Sequence, residues 1–136
     1  MVVSETQIRV RYSETDQMGY VYYGNYAQYF EVARVELLRQ LGMSYKGLEE
    51  SGIMMPVISM TSKYLKPAKY DNLLTIRTSI KEKPQFRCKF EYEILNESKE
   101  LLHVGETTLV FIDTKTNRPV NNPKQIADKF DNYFNK

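Results

Sequence analysis

The chain has 136 residues, of which 42% are hydrophobic and 26% are charged, a balance typical of a globular domain rather than a disordered or fibrous chain. Nineteen basic and seventeen acidic residues give a formal net charge of +2, too small a bias to indicate a nucleic-acid partner. A single histidine and a single cysteine exclude metal sites built from clusters of these residues, and without an internal disulfide we expect a reducing cytoplasm.

The first predicted element is a strand over residues 6–12. Ile8, Val10 and Tyr12 alternate there with polar residues, which is the pattern of a half-buried strand. A polar, turn-like stretch over residues 13–19 follows, so we expect the chain to leave the sheet at that point.

The strongest periodic signal predicts a long helix over residues 25–41. Apolar and aromatic residues recur there at three- and four-residue steps, the spacing of one buried helical stripe. Asn25 is a candidate N-cap, and Gln28 completes the pattern of a capping box. Gly42 suits the position immediately after the last helical turn.

After residues 43–52, which have room for one or two helical turns, the sequence changes to strand patterns. The predicted strands cover residues 53–65, 73–80, 86–95 and 101–112. Because the connections are short, we expect consecutive strands to be antiparallel neighbours. A loop over residues 114–123 precedes a predicted terminal helix over residues 124–134.

The order of a strand, a long helix and four more strands predicts an α+β fold, with an antiparallel five-stranded sheet around the helix. A helix of about 17 residues is roughly 25 Å long, and strands of about ten residues can wrap around it. Such a sheet leaves edge strands open, and a second copy of the chain is one way to cover an edge. We therefore expect a single domain over residues 1–136 that forms at least a dimer.

Residues 12–26 read YSETDQMGYVYYGNY and bring two carboxylates, Glu14 and Asp16, close to the start of the helix. A helix N-terminus has unpaired backbone N–H groups and a partial positive charge, which polarise a carbonyl group and hold an oxyanion. A carboxylate and such donors are the minimum for hydrolysis by acyl transfer. On spacing alone, the commoner role of an aspartate such as Asp16 is to stabilise the helix dipole.

The pattern YxETDxxGxVYYxNY, followed by FExARxELL, resembles the hotdog-fold acyl-CoA thioesterases of the 4-hydroxybenzoyl-CoA and tol-pal-associated type. The likeness runs from about residue 6 to residue 113 and includes VISMTSKYLKPAKYDNLL and GETTLVFID. It implies a sheet wrapped around a central helix, paired into homodimers or homotetramers. It also implies hydrolysis of an acyl-CoA to the free acid and coenzyme A.

The resemblance implies roles for five residues of the motif. Asp16 matches the family's catalytic aspartate, either as the nucleophile toward the thioester carbonyl or as the general base for water. Gly19 matches the motif's glycine, where the absence of a Cβ permits a tight loop and close approach of substrate. Tyr23 stands where many members have histidine, so the backbone N–H of Tyr23 or Gly24 is the expected oxyanion donor. Asn25 matches the motif's asparagine beside the substrate, with a structural role as helix cap favoured.

Eight basic and two acidic residues lie between residues 63 and 89. Such a run is commonly a solvated face, but the phosphates of coenzyme A also need basic partners. The resemblance places the nucleotide along these strands, where the candidate ligands are, in order, Lys81, Lys83, Lys66 and Arg87. Thr61 is expected, by position alone, to line the acyl pocket.

Four further residues have simpler expected roles. His103 lies in a predicted strand and is expected to be structural, and Cys88 is expected to be an inert buried thiol. Glu31 and Arg34 have the i, i+3 spacing that allows an ion pair on a helix.

The sequence therefore predicts a cytoplasmic thioesterase with its active site at a dimer interface. We expect no metal or redox cofactor, because coenzyme A enters only as part of the substrate. Two alternatives stay open: a hydratase or dehydratase of acyl thioesters on the same fold, and a non-catalytic acyl-CoA-binding protein. No apolar run approaches the ~18–20 residues of a membrane span, and residues 1–10 lack the apolar core of a signal peptide.

Overall fold

The computed structural model describes residues 1–134 of the chain. The helices are α1 (Tyr26–Gln40), α2 (Tyr45–Glu50) and α3 (Lys124–Phe134), and 3₁₀ turns cover Tyr12–Glu14 and Tyr23–Asn25. The strands are β1 (Val2–Arg9), β2 (Ile53–Met54), β3 (Val57–Tyr64), β4 (Leu73–Ile80), β5 (Arg87–Leu95), β6 (Leu101–Val110), β7 (Ile112–Asp113) and β8 (Arg118–Pro119).

The main sheet has five strands in the order β1-β4-β5-β6-β3, and every neighbouring pair is antiparallel. The long helix α1 packs on one face of this sheet, which we call the inner face. The expected α+β class, with five antiparallel strands around one helix, is confirmed. The short strands β2, β7 and β8 form a separate small sheet.

The expectation that consecutive strands are neighbours is wrong for β3 and β4. Strand β3 pairs with β6 at one edge, whereas β4 pairs with β1 near the other edge. Residues 65–72, the crossing segment, therefore run across the end of the sheet. Backbone hydrogen bonds fix this segment near both of its ends. The N–H of Lys66 donates to the carbonyl of Leu102 (3.0 Å), and the N–H of Asp71 donates to the carbonyl of Val10 (3.0 Å).

Several predicted strand ends differ from the structure. Strand β1 covers residues 2–9 instead of 6–12, because its pairing with β4 begins at Val2 and ends at Arg9. The strand predicted over residues 53–65 is interrupted before β3 at Pro56, which has no backbone N–H for a sheet. The predicted loop over residues 114–123 contains β8, which pairs with β7.

The side of α1 that packs on the inner face of the sheet forms the centre of the core. Tyr29, Phe30 and Leu37 are almost completely buried, and the Phe30 ring stacks on Tyr92 of β5 with 4.1 Å between ring centroids. Gly105 of β6 makes this packing possible, because a Cβ atom there would lie 2.5 Å from Cζ of Phe30.

The predicted end of α1 is confirmed. Gly42 has φ +80°, the left-handed conformation that glycine adopts without strain. The N–H of Gly42 donates to the carbonyl of Arg39 (2.9 Å), and the N–H of Met43 donates to the carbonyl of Leu38 (2.8 Å). These two bonds form a Schellman motif, which satisfies carbonyls of the last turn.

The predicted side-chain cap at the start of α1 is wrong. Asn25 has helical backbone angles, and within residues 1–134 its side chain accepts no hydrogen bond from a helix N–H. Its Nδ2 donates instead to the carbonyl of Glu14 at 2.7 Å. The 3₁₀ turn before α1 explains the difference, because it places Asn25 inside helical geometry, whereas a capping residue normally has extended backbone.

The expected ion pair between Glu31 and Arg34 is also absent from residues 1–134. Arg34 is buried, and its guanidinium donates to the hydroxyls of Tyr45 and Tyr92 at 3.2 Å each. Because its side chain points into the core, Arg34 crosslinks α1, α2 and β5. No helix within residues 1–134 is both long and apolar enough to cross a membrane.

Candidate active site

Glu14 links the turn before α1 to the helix through hydrogen bonds. Its buried carboxylate accepts hydrogen bonds from the backbone N–H of Arg11 (2.8 Å), from the Arg11 guanidinium (3.1 Å and 3.2 Å) and from the Tyr29 hydroxyl (3.0 Å). Its backbone carbonyl accepts from the N–H of Tyr22 (2.8 Å) and from Asn25 Nδ2 (2.7 Å). Burial acts to raise the pKa of Glu14, but these donors outweigh it and hold the pKa below its ordinary value of 4.5.

Asp16 lies two residues further on, in a tight turn. Its Oδ1 accepts hydrogen bonds from the backbone N–H groups of Met18 (2.9 Å) and Tyr20 (3.2 Å). No residue between 1 and 134 donates a hydrogen bond to Oδ2, so one carboxylate oxygen keeps its lone pairs for another partner. Gly19 closes the turn with φ +78°, and no atom of the described residues lies within 4 Å of the position that a Cβ would take. The glycine is therefore required for backbone conformation rather than for space.

The 3₁₀ turn before α1 supplies candidate amide donors. Neither the N–H of Tyr23 nor that of Gly24 has an acceptor within residues 1–134. The Tyr64 hydroxyl donates to the carbonyl of Tyr23 at 3.4 Å, so β3 contacts this turn. A Cβ at position 24 would lie 2.8 Å from the ring of Tyr22, so the glycine leaves space for that ring.

An aromatic cluster of Tyr26, Tyr64 and His103 lies next to the helix start. The His103 ring stacks on Tyr26 with 4.0 Å between centroids and an interplanar angle of 6°, and Tyr64 packs edge-on at 4.7 Å. His103 Nε2 lies 3.0 Å from the hydroxyl of Ser62, whereas Nδ1 is buried without a partner in residues 1–134. Burial lowers the pKa of His103 to about 4, so the imidazole is neutral near pH 7. The structure thus places His103 in the core.

The sheet register separates Asp16 from three of the predicted nucleotide ligands. Strand β1 enters the Asp16 turn at the end of the sheet where β4 begins. Lys81 and Lys83 follow the opposite end of β4, and Arg87 begins β5 there. Eight residues at ~3.3 Å each put about 25 Å between these ends. Within one chain, the remaining predicted site residues at this end of the sheet are Asp16, Gly19, Tyr23, Gly24, Asn25 and Lys66. Lys81, Lys83 and Arg87 lie at the opposite end.

Three of the four predicted phosphate ligands are in ion pairs, which are Lys66 with Glu100 (2.8 Å), Lys81 with Glu91 (3.4 Å) and Lys83 with Asp131. Arg87 makes no ion pair with residues 1–134. Thr61 pairs with Glu106, between the inward-facing Gly105 and Thr107, so its side chain lies on the outer face of the sheet. Together with Lys81 it lines an open groove of about 640 Å³ on that face, away from Asp16.

One solved structure and two relatives known by sequence are similar to this chain. A DHNA-CoA thioesterase from Staphylococcus aureus is 38% identical, with a TM-score of 0.84 and coverage of 99% of this chain and 85% of that one. YneP of Bacillus subtilis, a candidate acyl-CoA thioesterase, is 34% identical over 94% of this chain and 93% of its own length. The acyl-CoA thioester hydrolase YbgC of Escherichia coli O157:H7 is 33% identical over 90% of this chain and 92% of its own length.

A solved thioesterase thus shares the hotdog fold seen here, with five antiparallel strands around one long helix. The chain belongs to the thioesterase-like superfamily, whose sequence profile matches residues 10–130. The predicted family, the hotdog fold and the activity class, which is hydrolysis of a thioester, are confirmed.

The role of Glu14 is a finding of the structure. In the sequence it is only one of two carboxylates before the helix, whereas in the structure it is the main link between the motif turn and α1. The available signal was the glutamate within the ETD segment, three residues after Arg11. A pair at that spacing does not show whether the carboxylate lies in solvent or in the core.

Proposed function

We propose that this protein hydrolyses an acyl-CoA to the free acid and coenzyme A. The observation that carries the proposal is the Asp16 carboxylate, which has one oxygen fixed by two backbone amides and the other without a donor in residues 1–134. The amides of Tyr23 and Gly24, which have no acceptor in the described part of the chain, belong to the 3₁₀ turn before α1, at the same end of the sheet. The names of the YneP and YbgC relatives support coenzyme A as the carrier of the acyl group.

In the proposed reaction, Asp16 either takes a proton from the water that attacks the thioester carbonyl carbon, or attacks that carbon itself and forms an acyl–aspartyl anhydride. In both routes the C–S bond breaks and the sulfur of coenzyme A leaves and is protonated. Water attack gives the acid directly, whereas the anhydride is hydrolysed by a water molecule that releases the acid and restores Asp16. Negative charge on the carbonyl oxygen is stabilised by the N–H groups of Tyr23 and Gly24. We propose that no metal or redox cofactor takes part, because a carboxylate and amide donors suffice for this chemistry.

The proposed active unit is a homodimer, or a homotetramer built from two such dimers. Strand β3 is an edge strand of the main sheet. Four of its apolar side chains and that of Leu65, which follows the strand, are between 40% and 53% accessible; the four are Val57, Ile58, Met60 and Tyr64. A long edge with exposed apolar side chains favours pairing with another copy.

A two-fold axis between two β3 edges would also explain the distant basic residues. Tyr64 lies at the Asp16 end of the sheet, and Val57 lies at the Arg87 end. Antiparallel pairing of the edges sets the Val57 end of one copy beside the Tyr64 end of the other. Arg87 of the partner subunit, and the lysines of the same hairpin, then approach the Asp16 end. We propose this as the route by which Lys81, Lys83 and Arg87 can contact the substrate, whereas Lys66 can do so from the same chain.

The proposed location is the cytoplasm, and the proposed partners are small molecules and further copies of the chain. The single cysteine, Cys88, is a buried free thiol, as in proteins of a reducing compartment. The formal net charge of +2 supports the proposal that the protein does not bind nucleic acid.

Substitution of Asp16 by Asn tests the proposed chemistry. Asn retains an oxygen that accepts from Met18 and Tyr20, so the turn is expected to keep its shape, but the negative charge is lost. We expect kcat to fall at least about 100-fold on every substrate of a panel of short, long and aromatic acyl-CoAs. Asp71→Asn is the matched control, because Asp71 is exposed at the same end of the sheet and its φ of 68° is tolerated by asparagine.

Near-normal hydrolysis by the Asp16→Asn enzyme would refute the assignment. The panel should include a 2-enoyl-CoA, with hydration followed at the double bond. Hydration without release of coenzyme A would favour the hydratase alternative. Binding of acyl-CoA with no turnover by the unaltered protein would favour a non-catalytic binding protein.

A further inference from the structure

The carboxylate and the amides of the proposed reaction lie in one short part of the chain, residues 14–25, which we call the motif segment. Asp16 is in its first half, where the backbone N–H of Asp16 donates to the carbonyl of Tyr20 (2.8 Å) and forms a tight hairpin. Tyr23 and Gly24, which carry the candidate amide donors, follow in the 3₁₀ turn. The position of the amides relative to the carboxylate therefore depends on how the motif segment is folded on itself.

The backbone carbonyl of Glu14 holds the two halves of the motif segment together. It accepts one hydrogen bond from the N–H of Tyr22 (2.8 Å) and one from the side-chain Nδ2 of Asn25 (2.7 Å). Tyr23 and Gly24 lie between these two donors in the chain. The turn with the amides is thus held on both sides to one oxygen atom, and that oxygen is two residues from Asp16.

The other contacts of the 3₁₀ turn do not fix it to the hairpin. The N–H of Asn25 donates to the carbonyl of Tyr22 (2.9 Å), which shapes the turn internally. The Tyr64 hydroxyl reaches the carbonyl of Tyr23 from β3 at 3.4 Å, which is long for a hydrogen bond between oxygen atoms. Without the side-chain amide of Asn25, the turn is free to rotate about Tyr22, the last residue bonded to Glu14.

We infer that Asn25 is a positioning residue for thioester hydrolysis, because its bond to the Glu14 carbonyl sets the amides of Tyr23 and Gly24 at the working distance from Asp16. The inference rests on the proposed function and adds a residue that touches no reacting atom. A displacement of about 1 Å between reacting groups costs about 100-fold in rate, so a bond that fixes this geometry affects kcat. Binding of the substrate does not depend on it to the same degree.

Asn25→Ala tests the inference. Alanine is favourable in the helical backbone conformation of residue 25, so the variant removes the side-chain donor without straining the turn. We expect kcat for the best acyl-CoA substrate to fall about 30-fold. We also expect an unchanged Kd, within twofold, for a ketone analogue in which a methylene group separates the carbonyl from the sulfur of coenzyme A, measured by calorimetry. An unchanged kcat, or a Kd that rises as much as kcat falls, would overturn the inference.

Ser44→Ala is the matched control for a loss of stability alone. The Ser44 hydroxyl accepts from the N–H of Gly47 (3.0 Å) and caps α2, so its removal destabilises the fold. Ser44 follows the far end of α1, a helix of 15 residues and therefore about 22 Å long. Its kcat should stay within twofold of the unaltered protein, with the folded fraction of each variant checked by circular dichroism. An equal fall of kcat in both variants would make Asn25 a residue of stability only.

Asn25→Gln keeps the test decisive if Asn25→Ala does not fold. Glutamine has the same amide donor on an arm one methylene longer, so the bond to Glu14 can form only with a shifted turn. We expect kcat to fall several-fold at an unchanged Kd for the ketone analogue. Full kcat in this variant would contradict a role in positioning.

A double variant shows whether Asn25 acts through Asp16. In Asp16→Asn the spacing between carboxylate and amides no longer matters, so adding Asn25→Ala should lower kcat less than about threefold further. A further loss of about 30-fold would overturn the inference. Failure of the proposed function is recognised separately, because it requires near-normal hydrolysis by the Asp16→Asn enzyme itself.

Discussion

The hydroxyl of Tyr29, in the first turn of α1, donates a hydrogen bond to the carboxylate of Glu14 at 3.0 Å. This contact joins the turn that carries the ETD motif to α1, which directly follows the 3₁₀ turn whose amides the proposed reaction uses. Burial and the neighbouring Glu14 charge raise the pKa of Tyr29 above its ordinary value. Glu14 in turn stays ionised, since the groups that donate to it overcome the effect of burial.

Removal of the Tyr29 hydroxyl should destabilise the protein. In Tyr29→Phe the buried Glu14 carboxylate loses one donor, so we expect the free energy of unfolding to fall by about 1.5–3 kcal/mol, measured by urea titration at pH 7. Tyr20→Phe is the control, because the Tyr20 hydroxyl makes no hydrogen bond within residues 1–134. Equal losses in the two variants would show that the contact with Glu14 contributes nothing.

The lowered pKa of Glu14 also predicts how stability depends on acid. The folded pKa lies below the ordinary 4.5, so the unfolded chain binds a proton at higher pH than the folded protein. The contribution of Glu14 is therefore complete above about pH 4.5 and is lost as pH falls through the folded pKa. Glu14→Gln should be less stable at pH 7 and should lose less further stability between pH 4.5 and pH 3. Parallel stability curves for the two proteins would contradict this prediction.

His103 predicts a separate pH dependence in a different range. Its folded pKa of about 4 lies below the ordinary 6.5, so the unfolded chain takes up a proton that the folded protein does not. This difference should make the protein about 2 kcal/mol less stable at pH 5 than at pH 7.5. His103→Gln should be less stable at both pH values but should lose most of the difference between them. If the stability difference between pH 5 and pH 7.5 keeps its size in this variant, another titratable group causes it.

Gly105 of β6 should not accept a side chain without loss of stability. A Cβ atom at this position would lie 2.5 Å from the Phe30 ring and 2.8 Å from the carbonyl of Thr61. We expect Gly105→Ala to lower the free energy of unfolding by about 1–3 kcal/mol, measured by urea titration. The double variant with Phe30→Leu should recover part of that loss, because the smaller side chain frees space. Additive losses would place the conflict at the Thr61 carbonyl instead.

Local patterns in the sequence predicted the elements that bury one regular face. Helix α3 has the predicted ends, and its apolar residues Ile126 and Phe130 are buried four positions apart. Strand β4 also has its predicted ends, because its inward residues alternate with outward ones along its whole length. The separation of β3 from β4 could not be predicted in this way. It depends on β1 pairing beside β4, which is a contact between distant parts of the chain.

At the candidate site, the motif located the right segment but not the partners of each side chain. Asn25 has the residue type of a helix cap, yet it bonds to the carbonyl of Glu14, eleven positions earlier. Arg34 has the spacing for a pair with Glu31, yet it turns inward to two tyrosine hydroxyls. In both cases tertiary packing decides between alternatives that are equal in sequence.

The exposed β3 edge predicts the oligomeric state. Met60 lies in the middle of this strand and is 40% accessible, so a charge there would be buried without a partner if two edges pair. We expect Met60→Lys to raise the dissociation constant of the dimer at least about 100-fold, measured by sedimentation or by light scattering during gel filtration. Gln7→Lys is the control, because it adds the same charge to β1, the opposite edge of the sheet. If Gln7→Lys dissociates the protein and Met60→Lys does not, the copies pair through β1, and the basic hairpin of one copy would not approach the Asp16 turn of the other.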